Sequence, residues 1–203
     1  MILKKASYKA IKYACLKYHY AKSVPVNVFG FAVFNDDKEF CGCIVYGRGA
    51  NNNIAKPFKM VQGQVIELVR VALNGKQSVT SKAVAISIRL LPKFIPTAKL
   101  LVSYADENQG HSGTIYQAMN WFYIGDSETT KTPVMNGKRV HARAIYSRYG
   151  TNDIKALQER GIDVHYVKDK PKRKYIYPID KNLIPMCKEL SKEYPKKCVS
   201  SLR

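Results

Sequence analysis

Short apolar runs separated by polar turns are the dominant pattern of the chain. Residues 28–34 and 40–46 predict two strands joined by a polar hairpin loop. Residues 64–73 predict a central strand, because the apolar run is nearly continuous and only Glu67 and Arg70 interrupt it. A charge inside a buried strand needs a partner, so Glu67 is either paired within the structure or turned toward a site.

Apolar residues at helical spacing predict the first two helices. Residues 5–22 carry a stripe of alanines on one face and lysines on the others, which is typical of an amphipathic helix. A second stripe over 84–95 predicts a helix that Thr80 or Ser81 caps.

The carboxyl-terminal third of the chain contains further turn signals. Asn136-Gly137 favours a type I′ hairpin, residues 151–160 predict a helix that Gly161 ends, and residues 163–167 and 175–179 predict a final pair of strands. Strands and helices together indicate an α/β fold in which a central mixed, twisted sheet is flanked by helices. The length of 203 residues suits a single domain over 1–203, with a short basic tail.

Residues 100–126 read as a strand, a polar elbow and a helix. The buried strand is expected to end at Val102, and apolar residues at helical spacing then extend from Ile115 to Phe122. The apolar run stops at residues 103–106, which end with Asp106, and a polar elbow over residues 107–113 follows and contains His111. Ligands of open α/β sheets bind beyond the carboxyl ends of strands, so the elbow is a candidate site. Polar residues also suit an ordinary turn, which is the alternative interpretation.

Charge is the strongest signal in the composition. The net charge of +19 favours a polyanionic partner, with nucleic acid before an anionic membrane. No run approaches the about 20 apolar residues of a membrane span, and the first residues do not resemble a signal peptide. Five cysteines without a zinc-type pair indicate reduced thiols in a cytoplasmic protein, with Cys41 and Cys43 on one face of a strand.

The order of residues across the elbow is specific. It reads Ser103-Tyr104-Ala105-Asp106, Gln109-Gly110-His111, Gly113 and Ile115-Tyr116-Gln117-Ala118. This order resembles the signature of the Mom family of phage DNA-modification proteins. These relatives of the GNAT acyltransferases convert adenine in DNA to its N6-carbamoylmethyl form, which protects phage DNA from restriction enzymes. The resemblance therefore implies a GNAT-like domain and a DNA-modifying transferase in the host cytoplasm.

The same resemblance implies roles for individual residues. Asp106 would accept a proton from the adenine N6 amine as the new bond forms. Tyr116 would protonate a leaving thiolate, as a tyrosine on this helix does in GNAT enzymes, and Tyr104 and His111 complete the catalytic set. The family also has an acidic residue followed by leucine at the position of Glu67, which favours a site role for that side chain.

Two cofactors are implied. Acetyl-CoA follows from the likeness to GNAT enzymes, and the turn before the second helix provides the candidate anion ligands, although the usual glycine spacing is missing. These ligands are Gly75, Lys76, Ser78, Thr80, Ser81 and Lys82. Iron is the second, because the product has a CH2 on N6 that simple acyl transfer does not yield. Its candidate ligands are His19, Tyr20 and Asp106, since imidazole and carboxylate suit iron.

The expected partner is double-stranded DNA with a flipped adenine, because N6 is inaccessible inside the stack. The basic run 168–174 is typical of a solvated loop, but the net charge and the tyrosines after it favour a phosphate-contacting surface. The full set of expected DNA-contacting residues is Tyr20, Gln109, Asn120, Arg143, Lys170, Lys172, Arg173 and Lys174, with the ring of Trp121 also available to the flipped base.

Two other functions are compatible with the sequence. One is an acetyl-CoA-dependent GNAT N-acetyltransferase of a small amine or a protein, which the missing glycine-rich loop and the high charge disfavour. The other is a non-catalytic nucleic-acid-binding protein, which explains the charge but not the polar residues gathered at one strand end.

Overall fold

The computed structural model describes residues 1–49 and 52–195, which form ten strands and six helices. The strands are β1 (Ile2–Lys5), β2 (Val28–Phe34), β3 (Phe40–Gly47), β4 (Val65–Leu73), β5 (Leu100–Asp106), β6 (Phe122–Asp126), β7 (Lys131–Met135), β8 (Lys138–Arg139), β9 (Val164–Lys168) and β10 (Lys172–Pro178). The helices are α1 (Tyr8–Tyr18), α2 (Thr80–Phe94), α3 (Thr114–Gln117), α4 (Ala142–Tyr149), α5 (Ile154–Glu159) and α6 (Ile184–Leu190). Residues 50 and 51, the fifth cysteine (Cys198) and the part of the predicted basic tail beyond residue 195 lie outside the described residues.

A seven-stranded mixed sheet organises most of the chain. Its strand order is β1-β2-β3-β4-β5-β10-β6, so β4 occupies the centre as predicted. The first four strands pair antiparallel, whereas β4 and β5 pair parallel. The prediction of an α/β fold with a central mixed sheet is confirmed.

Helices cover both faces of this sheet. Phe31 and Ile44 pack with Ala83 and Leu91 of α2 on one face. The alternate strand residues, such as Val45, pack with α1 on the other face. This division follows from the alternation of side chains along a strand. The predicted flanking by helices is therefore confirmed.

A β-bulge overturns one prediction about β3. Val33 pairs with Gly42, but Phe34 pairs with Phe40, so an extra residue is inserted at Cys41. The bulge shifts the alternation by one residue. Cys41 packs in the cluster under α2, whereas Cys43 packs in the cluster under α1. The two thiols lie on opposite faces, and the prediction that they share a face is wrong.

The contacts divide the chain into two units. The first comprises residues 1–105, 112–125 and those from 173 onward, and the second comprises 106–111 and 126–172. The second unit contains a three-stranded sheet of order β8-β7-β9 and a small core that α4 and α5 contribute. The interpretation of the chain as one domain stays a prediction.

The second unit confirms one turn and corrects one pairing. Asn136 and Gly137 have φ values of 49° and 71°, as the predicted type I′ hairpin between β7 and β8 requires. The predicted final pair of strands does not form, because β9 pairs with β7 and β10 lies between β5 and β6 in the larger sheet.

Several element boundaries differ from prediction. β5 continues to Asp106 instead of ending at Val102, and α3 ends at Gln117, so Phe122 begins a strand. The N-cap of α2 is Val79, which makes no side-chain capping bond, so neither of the expected residues caps that helix.

Two helices in the second unit also depart from the sequence interpretation. Helix α4 was not predicted, and the His141 side chain caps it by accepting a bond from the Arg143 N–H group. The Asp153 side chain caps α5 by accepting a bond from the Lys155 N–H group, so this helix begins at Ile154 and not at residue 151. Short polar side chains compete for such caps, and the local backbone path decides between them.

The four cysteines within the described residues are buried and form no disulfide. No helix within residues 1–49 and 52–195 is long and apolar enough to cross a membrane.

Candidate active site

A short parallel ladder joins β4 and β5. Residues 65–67 pair with 100–102, although β4 continues to Leu73 and β5 to Asp106. Ser103, the first residue beyond the ladder, bonds across the gap through its side chain, with its Oγ atom 2.8 Å from the Leu68 carbonyl oxygen. A side-chain bridge therefore replaces the next backbone bond where the two strands part.

Two tyrosines near this point in the first unit are affected by the charge of Glu67 on β4. Burial, and then the charge of Glu67, raises the pKa of Tyr104. Burial also raises the pKa of Tyr116 to about 12, and the Glu67 carboxylate adds to that rise. The Glu67 charge therefore acts on both tyrosines of the predicted catalytic set, but the two phenols pack on opposite faces of the sheet.

The Tyr116 hydroxyl is buried in a hydrogen-bonded chain. It lies 2.7 Å from the Oγ atom of Ser103. Serine has one hydroxyl hydrogen, which the Leu68 carbonyl can only accept, so the Tyr116 hydroxyl donates to Ser103. Tyr116 therefore holds its proton at neutral pH, as an acid must, and that proton is directed at Ser103.

The segment before α3 is held by Tyr175 of β10, which the sequence analysis did not assign to the site. The Tyr175 hydroxyl donates to the Ser112 carbonyl oxygen at 2.9 Å and accepts from the side-chain amide of Gln117 at 3.1 Å. Gly113 lies between them with a φ of 81°, and a Cβ atom there would lie 2.4 Å from the Tyr175 ring. The chain can pass Tyr175 because residue 113 is glycine.

Two other residues expected to contact the base occupy different environments. Trp121 is fully buried, with its ring 5.1 Å from that of Tyr116, so it presents no face to a base. Asn120 is exposed and has a φ of 56° in the turn that ends α3. The prediction that Trp121 lines a base pocket is wrong, because its size and apolarity place it in the core.

Asp106, Gln109 and His111 belong to the second unit. The Asp106 carboxylate accepts bonds from the Asn108 N–H group at 3.0 Å and the Asn108 side-chain amide at 3.1 Å. It thereby caps the short 3-10 turn Glu107–Gln109, after which the His111 N–H group bonds the Asp106 carbonyl oxygen. The catalytic roles assigned to Asp106 and His111 stay predictions.

The turn before α2 offers donors for an anion. Val79 brings no side-chain acceptor to the start of this 15-residue helix, and no acid stands in its first turn. A helix start of this kind, with Thr80, Ser81 and Lys82 in its first turn, suits a diphosphate.

The preceding residues of this turn, by contrast, are engaged within it. The Gln77 side chain accepts from the Gly75 N–H group, the Asn74 side chain accepts from the Lys76 N–H group, and the Lys76 ammonium lies 3.5 Å from Glu39. Ser78 is exposed. The anion-binding prediction for Gly75, Lys76, Ser78, Thr80, Ser81 and Lys82 therefore has its best fit at the helix start.

The candidate metal ligands do not form a recognisable centre. His19 ends α1 and accepts the Ala21 N–H group on Nδ1 at 3.1 Å, with its ring 4.2 Å from that of Tyr20. Among the described residues, no group of three His, Cys, Asp or Glu side chains is arranged to hold a metal ion. The iron prediction gains no support from the donor arrangement.

The basic residues of 168–174 are presented unequally. Lys170 and Lys172 are exposed, and Lys168 closes β9. The guanidinium of Arg173 is 3.5 Å from the Ser112 carbonyl oxygen. Lys174 lies over the Phe58 ring at 5.1 Å, and burial lowers its pKa. Lys170 and Lys172 are the members of this group best placed to meet a phosphate.

Most of the positive charge lies elsewhere. Residues 1–105 contain 16 Lys and Arg against 4 Asp and Glu, whereas residues 106–111 and 126–172 contain 10 against 8. The first unit therefore carries most of the excess that the sequence predicts to attract a polyanion.

Solved acetyltransferases have a similar fold class. A Bacillus subtilis acetyltransferase in complex with CoA has a TM-score of 0.46 at 13% identity, covering 87% of this chain and 97% of that one. A GNAT family acetyltransferase from Elizabethkingia anophelis with acetyl-CoA bound has a TM-score of 0.45 at 10% identity, covering 88% and 97%. At such TM-scores neither likeness assigns a ligand or a residue role to this chain.

The sequence itself identifies the family. The Mom protein family model matches residues 1–196, so this chain belongs to the Mom protein family. It is 24% identical over 116 residues to the methylcarbamoylase mom of Escherichia phage Mu. That alignment covers 55% of this chain and 48% of the relative, so about half of the relative's length is matched.

Proposed function

We propose that this chain is a phage-type DNA-modifying transferase that converts adenine N6 in DNA to its N6-carbamoylmethyl form. The modification would protect the DNA from restriction endonucleases in the host cytoplasm. Membership of the Mom protein family over residues 1–196 is the observation that carries the proposal. The name methylcarbamoylase of the phage Mu relative supports this reaction class.

The proposed substrate is duplex DNA with a flipped adenine. Residues 1–35 contain six lysines and no acidic residue. On α1, Lys12 and Lys17 are exposed beside Tyr13, and the Lys17 ammonium lies 5.5 Å from the centre of the Tyr13 ring. Lysines contact phosphates and exposed aromatic rings stack on bases, so this helix supports a nucleic-acid partner. Adenine N6 becomes accessible once the nucleotide leaves the stack.

The reaction needs a base near N6. The N6 amine is a weak nucleophile, because its lone pair is delocalised into the ring, so a carboxylate must take a proton as the bond forms. Asp106, at the end of the strand that carries the family signature, is the first candidate for this role. Glu67, whose charge raises the pKa of both Tyr104 and Tyr116, is the second candidate.

Tyr116 is the proposed acid. Burial keeps its hydroxyl protonated, and release of the proton requires the hydroxyl to turn away from Ser103. Acetyl-CoA, when bound, would supply the two carbons of the new group, with the CoA thiolate, protonated by Tyr116, as the leaving group. Joining the methyl carbon to N6 would also need a two-electron oxidant, and the amide would need an ammonia-level nitrogen donor. The diphosphate of acetyl-CoA would be held at the start of α2, where Thr80 and Lys82 lie in an uncapped first turn.

The test is mass spectrometry of nucleosides from the DNA of cells that express this chain. Asp106→Asn keeps an oxygen for the Asn108 cap but removes the charge, and Glu67→Gln removes the second candidate base. Glu128→Gln is the matched control, because Glu128 is an exposed carboxylate in the second unit. Wild type and the control should yield deoxyadenosine heavier by a carbamoylmethyl group.

The variants separate the two candidate bases. Loss of product in one variant and not in the other identifies the base. Full product in both excludes both carboxylates from the role. Acetylated deoxyadenosine would replace the proposal with an N-acetyltransferase, and unmodified DNA that the protein nevertheless binds would favour a binding protein.

A further inference from the structure

A cavity of about 620 Å³ opens in the first unit, away from every residue assigned above to the reaction. It lies where β2 begins, β3 ends and α2 ends, and Gln62 and Gly63 reach it just before β4. This volume is within the about 300–1,000 Å³ of small-molecule sites. The cavity is therefore large enough for a ligand of nucleotide size.

The charge of the lining favours an anion. Lys5 of β1 and Arg48, which follows β3, both line the cavity and both are exposed. No acidic residue is among the described lining residues. Within residues 1–49 and 52–195, neither Lys5 nor Arg48 forms an ion pair. Two cations without a nearby carboxylate suit a phosphate group.

The apolar part of the lining is aromatic. Phe94 is 45% exposed, and its ring meets the buried Phe31 ring edge-on with centroids 5.4 Å apart. Phe29 stacks on Tyr46 with centroids 5.8 Å apart. Packing beneath holds the two rings at the cavity. The Lys5 ammonium lies over the Phe94 ring, 5.8 Å from its centre, so this ring offers a stacking surface for a base when the ammonium turns toward a phosphate.

Amide groups complete the lining. Asn27 and Gln62 both reach the cavity, and a carboxamide can donate and accept bonds as the edge of a base requires. Asn27 has a φ of 53°, so its backbone turns sharply into β2. One cavity thus contains cations for a phosphate, an aromatic ring for the face of a base and carboxamides for the edge of a base.

We propose that this cavity binds a nucleotide, with the phosphate between Lys5 and Arg48 and the base against Phe94. The inference stands on the cavity alone, and it goes beyond the proposed function because no residue of the proposed reaction lines it. The nucleotide is either a free molecule or an unpaired residue of a DNA strand, since both present the same phosphate and base.

The test is direct binding to the full chain. Isothermal titration calorimetry measures dAMP and deoxyadenosine, and fluorescence anisotropy measures a short labelled deoxyadenosine single strand. Arg48→Gln should weaken dAMP binding by about tenfold or more but leave deoxyadenosine unchanged, because that probe has no phosphate. Phe94→Leu should weaken both probes while keeping the apolar contact with Phe31.

Two control variants and a stability measurement distinguish a loss of binding at the cavity from a general loss of charge, aromatic surface or fold. Arg89→Gln removes an exposed charge from the same helix as Phe94, and Tyr166→Leu removes a ring that is also 45% exposed. Both should bind as wild type does. Thermal unfolding of Phe94→Leu shows whether a loss of binding results from unfolding of the variant. If this variant is unfolded, the binding data for Arg48→Gln alone test the proposal.

Each outcome has one meaning. Tighter binding of the strand than of dAMP, with both lost in the cavity variants, assigns the site to DNA. Equal binding of dAMP and the strand assigns it to a free nucleotide. If Arg48→Gln and Phe94→Leu bind every probe as wild type does, or if no probe binds wild type, the proposal is wrong. None of these measurements depends on adenine modification.

Discussion

Replacement of Ser103 by alanine tests the side-chain bridge where β4 leaves β5. The variant removes a buried hydroxyl that lies 2.8 Å from the Leu68 carbonyl oxygen and 2.7 Å from the Tyr116 hydroxyl. Each buried group left without this partner costs about 1–3 kcal/mol. We expect Ser103→Ala to lower the free energy of unfolding by about 2–4 kcal/mol and the melting temperature by about 5–15 °C.

Urea unfolding followed by tryptophan fluorescence measures this loss. Trp121 is the one tryptophan of the chain, and its buried ring lies 5.1 Å from that of Tyr116, so its signal comes from this core. A double-mutant cycle with Tyr116→Phe should show a coupling of about 1 kcal/mol, because both single variants break the same bond.

Ser147→Ala is the control for this experiment, since Ser147 is exposed on α4. Its effect should stay within about 0.5 kcal/mol. If Ser103→Ala changes stability no more than this control, and the cycle with Tyr116→Phe is additive, the bridge does not stabilise the fold and the reasoning fails.

Three further predictions concern the same core and the buried thiols. The pKa of Tyr116, about 12, lies above the ordinary value of 10.0, so its contribution to stability is complete below pH 10 and is lost between pH 10 and 12. Urea unfolding across this range should show a smaller fall in stability for Tyr116→Phe than for wild type, by about 2–3 kcal/mol, and an equal fall would contradict the assignment. Gly113→Ala should cost about 3 kcal/mol, because it adds the clash with Tyr175 to an unfavourable φ, whereas Gly150→Ala, at a φ of 73° with open space, should cost about 1 kcal/mol in the same assay. Burial raises the pKa of Cys43 to about 12, so peptide mapping after alkylation at pH 8 should find its thiol unmodified in the folded protein and modified in urea.

Local patterns were sufficient for elements with a single strong signal. The hairpin of β2 and β3, the central strand β4 and the Asn136-Gly137 turn follow from alternation, apolar runs and turn chemistry. The pattern of apolar residues failed to predict the end of a strand where a buried polar residue lies inside that strand. The strand was expected to end at Val102, before the polar Ser103, but Ser103 belongs to β5, since its hydroxyl donates to the Leu68 carbonyl across the gap.

The sequence by itself determined the α/β class, the family and the stretch in which the candidate site begins. These depend on residue order and on patterns within about one element, which a chain retains before it folds. The order Ser103 to Ala118 belongs to this group of features.

The tertiary structure alone decided which side chains meet. Tyr116 finds its partner on β5, and Tyr175 holds the segment before α3 from a strand some 60 residues away. The bulge at Cys41 reversed the face of one residue, and Arg48 and Phe94 came to line one cavity from distant elements. Such pairings depend on strand order and register, which arise from packing across the whole sheet and leave no local pattern in the sequence.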